Sequence, residues 1–392
     1  MSQQLGRGIK STRVADIVQS DIRAMTQRSL ELGGINLGQG VCDTPPPQPV
    51  IDNLLPAVQA GYNSYTRFDG IERLRLALAG KMKRDYDLHV NPETEIVVTL
   101  GTTGAFASTI TALCNPGDRI LMFEPYYGYH WNTSLIAGLE PDLVPTNPED
   151  FSLNIDALEA KAKGARAIVV NTPANPSGHV FSLQEMQAIA DICQRHDLLC
   201  ITDEIYEYFV YDGLSHISMA KQPGMWERTV TISGYSKTFS ITGWRIGYLA
   251  APPQLTAPIG IVNDLYYACA PAPLQYAVAA AIESLGPEFY SNIASEYQAK
   301  RDRFCQLLQD VGLPPHIPSG AYYVLTDVSS IGCKNAREAA MLLLEDAGVT
   351  GVPGSAFFQD QRGESLVRFC FAKDDETLAL ADERLRQWAE KR

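Results

Sequence analysis

The chain has 392 residues, 45% of them apolar, and carries 32 Lys+Arg against 45 Asp+Glu for a formal charge of −13. That length suits two domains around a sizeable core, and the apolar share excludes a disordered chain. The acidic balance argues against a nucleic-acid partner held through its phosphates.

Eight cysteines stand at Cys42, Cys114, Cys193, Cys200, Cys269, Cys305, Cys333 and Cys370. No two have CxxC spacing, so the expectation is reduced thiols in a cytoplasmic protein, with no metal site. Arg7, Lys10 and Arg13 have no apolar run behind them, so no signal peptide is expected. No stretch approaches a membrane span.

In chain order, residues 1–45 mix an amphipathic stretch with the loop Asn36-Leu37-Gly38-Gln39-Gly40 and open into three prolines, Pro45 to Pro47. Residues 95–100 read as a strand, Gly101 opens a turn, and Ala105 onward reads as helix. Further strands are expected at 119–123, 167–170, 198–202 and 229–232. Ser182, with Glu185 three residues on, predicts a capped helix through roughly Arg195. This alternation predicts an α/β protein, a three-layer, mainly parallel sheet covered by helices on both faces. From Glu288 to Gln309 a long charged helix follows, then a strand-like 321–325, a helix, and a strand-like 366–371. That is material for a smaller α+β domain. The expected division is a large domain over 46–287 and a small discontinuous one from 1–45 plus 288–392.

The chemistry centres on Gly234-Tyr235-Ser236-Lys237-Thr238-Phe239-Ser240-Ile241-Thr242-Gly243-Trp244-Arg245. A buried lysine must be neutral or paired, and a neutral amine attacks an aldehyde. Arg245, eight positions on, can hold a phosphate. Ligands of open α/β sheets gather at the carboxyl ends of the strands. Asp203 closes the fourth expected strand, and a carboxylate there can keep a pyridine nitrogen protonated. Gly101-Thr102-Thr103-Gly104 joins a strand to a helix whose first N–H groups suit a phosphate. Asn175 lies in Asn171-Thr172-Pro173-Ala174-Asn175-Pro176-Ser177-Gly178.

Together these segments resemble, in order and from about residue 33 to 370, the class I/II aminotransferases, the fold type I pyridoxal-phosphate enzymes. The loop with Tyr65, Arg67 and Phe68 looks nearest the branch acting on glutamine, kynurenine and aromatic amino acids. The resemblance implies pyridoxal 5'-phosphate bound covalently to Lys237, with Asp203 on its ring nitrogen and Asn175 and Tyr206 on its phenolic oxygen. It implies Gly101, Thr102, Thr103, Ser236 and Arg245 around the phosphate. Tyr127 matches the ring-stacking aromatic, with Tyr126 and Tyr129 as competitors. Arg368 and Gly40 would bind the substrate carboxylate, next to Asn175. Tyr65, or its competitor Tyr62, would cross to a neighbouring subunit's phosphate, so a homodimer with shared sites is expected. Two positions depart from relatives: Cys42 where many have proline, and Gly234 where some have serine.

The expected function is transfer of an amino group from an L-amino acid to a 2-oxo acid by a ping-pong mechanism, with Lys237 moving the α-proton. No Lys or Arg occurs from Ile246 to Ala299, where one aspartate-specific subgroup places an arginine, so neutral or aromatic donors are expected. The alternative on the same scaffold is a C–S β-lyase or related elimination or synthase enzyme. A non-catalytic regulator is opposed by the joint presence of Lys237, Asp203, Asn175 and Arg368.

Overall fold

A computed structural model describes residues 11–15, 17 and 20–392. Arg7 and Lys10, and with them the first part of the expected small domain, lie outside the described residues.

The strands, in chain order, are β1 (Ile35–Asn36), β2 (Ile96–Leu100), β3 (Arg119–Glu124), β4 (Glu140–Pro145), β5 (Ala167–Asn171), β6 (Leu199–Asp203), β7 (Thr229–Gly234), β8 (Ile246–Ala250), β9 (Pro315–His316), β10 (Tyr323–Asp327), β11 (Val349–Thr350), β12 (Val352–Pro353) and β13 (Leu366–Cys370). Seven form one sheet in the order β2-β8-β7-β6-β5-β3-β4. β7, β6, β5, β3 and β4 pair in parallel, and β8 runs antiparallel to both its neighbours.

The five strands expected over residues 95–232 are present. Two more join them. β4 carries two prolines and two acids, a composition that only a sheet edge tolerates, and it does lie at the edge. β8 lies within the continuation of the Lys237 segment, where the chemistry of the motif hides an ordinary apolar run.

Alternate residues of the central strands enter different cores. Ala167 and Val169 pack with Phe106, Ile110 and Ile259 from helices Gly101–Leu113 and Pro253–Tyr267. Ile168 and Val170 pack with Leu158, Met186 and Ile189 from helices Ile155–Ala162 and Leu183–His196. Burial on both faces is what parallel strands demand. The second of these helices begins as expected, with Ser182 and Glu185 forming a reciprocal capping box.

The C-terminal part has its own sheet, β12-β13-β10-β9, all antiparallel. Helices Pro287–Asp310 and Asp375–Glu390 cover it. Met25, Ile35 and Leu37 belong to the same core, and β1 pairs in parallel with β11. The sequence places the start of the central strand too early. Ala321 has φ +56° and sits outside β10.

Candidate active site

Leu100, Glu124, Asn171, Asp203 and Gly234 end β2, β3, β5, β6 and β7. These strands run in one direction, so their carboxyl ends bring the following loops to one edge of the sheet.

Lys237 lies three residues beyond β7 in a tight turn. Ser240 N donates to Lys237 O (3.2 Å) and Ile241 N to Ser236 O (3.1 Å). Tyr235 and Phe239 stack at 4.5 Å beneath it. The partly buried Nζ donates to Gly40 O at 2.9 Å. Burial, and secondly the nearby Arg245 charge, push the amine below its ordinary pKa, with Cys42, Cys370 and Asp203 opposing. The neutral, nucleophilic form is thereby favoured.

Asp203 is 5% exposed. Its Oδ2 lies 3.1 Å from His130 Nε2, and its Oδ1 accepts from Ile205 N at 3.3 Å. Its carbonyl accepts from Asn171 Nδ2 (3.0 Å), whose Oδ1 in turn takes Asn175 N (2.8 Å). Tyr206 OH bonds Tyr323 OH at 3.0 Å. Burial raises the Tyr206 phenol well above its ordinary pKa, so it acts as a neutral donor.

At the other end, helix Gly101–Leu113 starts directly after β2, at Gly101 rather than after a separate turn. A Cβ on Gly101 would run into the Arg245 guanidinium, so that group lies against the helix start. Arg245 Nη1 donates to Thr242 O at 3.1 Å. Among the described residues no carboxylate comes within ion-pair distance of Arg245 or of Arg368. Arginine at a helix N-terminus without an acid partner is an anion site.

Arg368, in β13, is 1% exposed. Its Nη1 donates to Asn175 Oδ1 (2.8 Å) and its Nη2 to Gly38 O (2.7 Å), while Nε has no partner. The guanidinium stacks over the rings of Tyr323 (4.2 Å) and Phe357 (4.6 Å). A fully buried cation held only by neutral groups is costly until an anion arrives.

One pocket gathers Thr102, Thr103, Tyr127, Asn175, Asp203, Tyr206, Ser236, Lys237 and Arg245. Of the competitors for the ring face, Tyr127 lines this cavity; Tyr126 and Tyr129 line the adjoining groove. Gly40 reaches it through the Lys237 amine, and Arg368 through Asn175. Tyr65 does not join them in this chain. It is 86% exposed, beside Leu100 and residues 269–273. Tyr62 instead packs on Tyr276. Sequence reading missed His130 and Asn171. The only hint of His130 was its place three residues after Tyr127, and Asn171 was visible only as the first residue of the loop that carries Asn175, just past the expected strand over 167–170.

This set of groups suits a flat ring that carries an aldehyde for Lys237, a basic nitrogen for Asp203 and a phosphate for Arg245 and the helix start. A second anion, a carboxylate, suits Arg368.

The family model for aminotransferase class I and II matches residues 33–385. The chain is 38% identical over 385 residues to kynurenine–oxoglutarate transaminase 3 of Mus musculus, covering 90% of this chain and 84% of that protein. The solved structure of N-succinyldiaminopimelate aminotransferase from Mycobacterium tuberculosis matches with a TM-score of 0.94 at 34% identity, covering 97% of this chain and 100% of that one. YbdL from Escherichia coli, described with a methionine aminotransferase function, matches with a TM-score of 0.93 at 30% identity, covering 97% and 100%.

Proposed function

The chain belongs to the class I and II aminotransferase family and is a pyridoxal-phosphate-dependent aminotransferase; from that premise we propose how its residues divide the work and which donors it prefers. The elimination alternative has no support from these relatives, which carry names of transaminases.

When bound, the cofactor supplies an aldehyde for the amino group and an electron-accepting ring for the carbanion left by the α-proton. Lys237 Nζ is the amine that would join the aldehyde, and in its neutral form it would serve as the base for the substrate's α-proton. Asp203 would keep the ring nitrogen protonated, and His130 holds the Asp203 carboxylate in place. Tyr206 and Asn175 would donate to the phenolic oxygen, and Tyr127 would cover the ring face. Thr102, Thr103, Ser236, Arg245 and the Gly101 helix start hold the phosphate. Arg368, with Gly40 and Asn175, takes the substrate α-carboxylate. The observation that carries this assignment is the shared cavity, where a lysine with lowered pKa, a buried aspartate and an arginine without an acid partner converge.

The names of relatives span aromatic, thioether, succinylated and aspartate donors, so the family leaves the donor open. The groove outside the cavity is lined by Asp21 and Arg23 as well as by aromatic side chains, and it is the aromatic stretch that supports aromatic or neutral donors. Tyr126 and Trp131 pack at 5.1 Å along it, with Phe357 and Ile22 nearby. The test is to mix the holoenzyme with one amino acid at a time and follow loss of the cofactor's visible band. Aromatic and neutral L-amino acids should react fastest, and aspartate reacting best by a wide margin would overturn the preference.

Residues 46–287 are read as the large domain, and 1–45 with 288–392 as the small one. The grouping of Met25, Ile35 and Leu37 in the C-terminal core supports this. A homodimer is the proposed unit, supported by the exposed Tyr65 and by Ile261 and Leu265, exposed at 63% and 79%. Sedimentation would test it. A cytoplasmic location is supported by eight free cysteines.

A further inference from the structure

Glu124 ends β3, and its carboxylate is 4% exposed. A buried acid needs partners, and both of its oxygens find them in one short segment. Oε1 accepts from Gln359 N at 2.7 Å, and Oε2 pairs with Arg362. Two more contacts run in parallel: Tyr126 N donates to Phe357 O (3.0 Å) and Gln359 Nε2 to Tyr126 OH (2.5 Å). Arg362 Nη1 also reaches Thr146 O (3.3 Å), at the far end of β4. The segment 357–362 is thus clasped to the ends of β3 and β4.

Stability alone does not call for this arrangement, because an ion pair drawn out of water is often no better than apolar packing of the same volume. Its position suggests another role. Phe357, at one end of the clasped segment, stacks on the Arg368 guanidinium. Tyr126, on the other side, lines the groove next to Tyr127. Among the described residues Arg368 has no carboxylate partner, so its aim depends on neutral neighbours, and Phe357 is one of the two rings that flank it there.

We propose that Glu124, Gln359 and Arg362 form a clasp that positions Phe357 over Arg368 and closes the aromatic wall of the substrate groove. They are positioning residues for the substrate carboxylate and side chain, and do not touch the cofactor. The inference rests on the reading of Arg368 as the carboxylate site. A fully buried guanidinium aimed by neutral neighbours loses its bidentate alignment when one of them shifts, so loosening the clasp weakens substrate binding and leaves cofactor binding intact.

The test uses holoenzyme, an unreactive aromatic monocarboxylate (3-phenylpropionate) and calorimetry, with pyridoxal-phosphate affinity measured in parallel. Glu124→Gln and Arg362→Ala should each weaken 3-phenylpropionate binding about tenfold or more, with cofactor affinity within about twofold of wild type. Arg362→Lys, which keeps the charge, should recover part of the loss. In turnover the same variants should raise KM for aromatic donors more than they lower kcat. Variants that bind 3-phenylpropionate as wild type does overturn the clasp. Variants that lose cofactor and carboxylate affinity equally overturn it too, since the whole site has then loosened. A wild-type holoenzyme that does not bind 3-phenylpropionate overturns the carboxylate reading of Arg368 and the clasp with it.

Discussion

The amine of Lys237 donates to the carbonyl oxygen of Gly40 across 2.9 Å, and the same oxygen takes the hydroxyl of Tyr322 at 3.2 Å. The nucleophile of one loop is therefore parked on the N-terminal loop that carries Gly38, an acceptor of Arg368. Cofactor and substrate machinery meet at this carbonyl. A backbone carbonyl accepts from either protonation state of lysine, so this bond does not oppose the neutral form that burial favours.

That depressed pKa makes a prediction about the apoenzyme. A lysine whose folded pKa lies below its unfolded value, about 10.4, leaves the unfolded state holding more protons. Stability then rises with pH. The penalty is full below the folded pKa and fades as pH climbs toward the unfolded value. Apo Lys237→Met should therefore melt above apo wild type at neutral pH, with the gap closing as pH rises through that window. Thermal midpoints across the series check the sign, and a gap that widens with pH would contradict it. In the holoenzyme Lys237→Ala should lose the visible band of the covalently held cofactor and ~10²–10⁴-fold in kcat.

His130 separates holding a carboxylate from being one. Its Nε2 lies 3.1 Å from Asp203 Oδ2, and its ring packs against Phe106 and Tyr127. A hydrogen bond to a charged group is worth ~1.5–3 kcal/mol, so His130→Phe should lower kcat by roughly ten- to a hundredfold. Asp203→Asn, which removes the charge facing the ring nitrogen, should cost more. Steady-state kcat for one good donor orders the two, and the reverse order would contradict the proposed roles.

The sheet and the anchor residues were legible because each left a local mark. β5 and β6 read as short apolar runs, Ser182 and Glu185 spelled a cap, and Lys237 and Arg245 sat at a spacing that resembles a known family. What was not legible depends on residues distant in sequence. Glu124 meets Arg362 across 238 positions and His130 meets Asp203 across 73, whereas Arg368 and Asn175, 193 positions apart, were brought together only through the family resemblance. β4 was hidden by its charges and prolines, the features that suit an edge. Cys42, marked as a departure, lies under the site with its Sγ 3.8 Å from Lys237 O. Burial raises its pKa, against the pull of the Lys237 charge, which keeps it a neutral thiol beside the amine.

Gly247 makes the phosphate end possible. It pairs across the strands with Gly234, and a Cβ on it would fall 2.5 Å from Gly101 C and 2.7 Å from Thr102 N. Those neighbours are backbone and cannot swing aside as a side chain would. Gly247→Ala should therefore displace the first turn of helix Gly101–Leu113, with an overpacking cost of ~1–3 kcal/mol. Cofactor affinity should fall by about tenfold or more, since ~1.4 kcal/mol is a factor of ten. Equilibrium titration of the apoenzyme with pyridoxal phosphate measures it, and unchanged affinity would show that the helix start does not bear on the phosphate.

Behind the site, Glu204 and Glu207 alternate with Asp203 and Tyr206 along the chain, turned toward different partners. Glu204 is held by Thr202 Oγ1 (2.9 Å), Ser218 Oγ (3.1 Å) and His216 Nε2 (2.9 Å). Glu207 takes Ser233 Oγ at 2.8 Å and pairs with Lys81, whose side chain is wholly buried. Removing one partner of such a pair strands the other charge at a cost of ~3–5 kcal/mol, whereas replacing both by neutral groups is far milder. Lys81→Met should thus lower the denaturation midpoint sharply, and adding Glu207→Gln should restore most of it. The order matters for function because Glu207 follows Tyr206 directly: an unpaired Glu207 that shifts toward solvent drags the phenol with it. The single variant should lose cofactor affinity along with stability, and the double variant should regain both. A double variant as unstable as Lys81→Met would mean that the lysine acts through packing rather than charge.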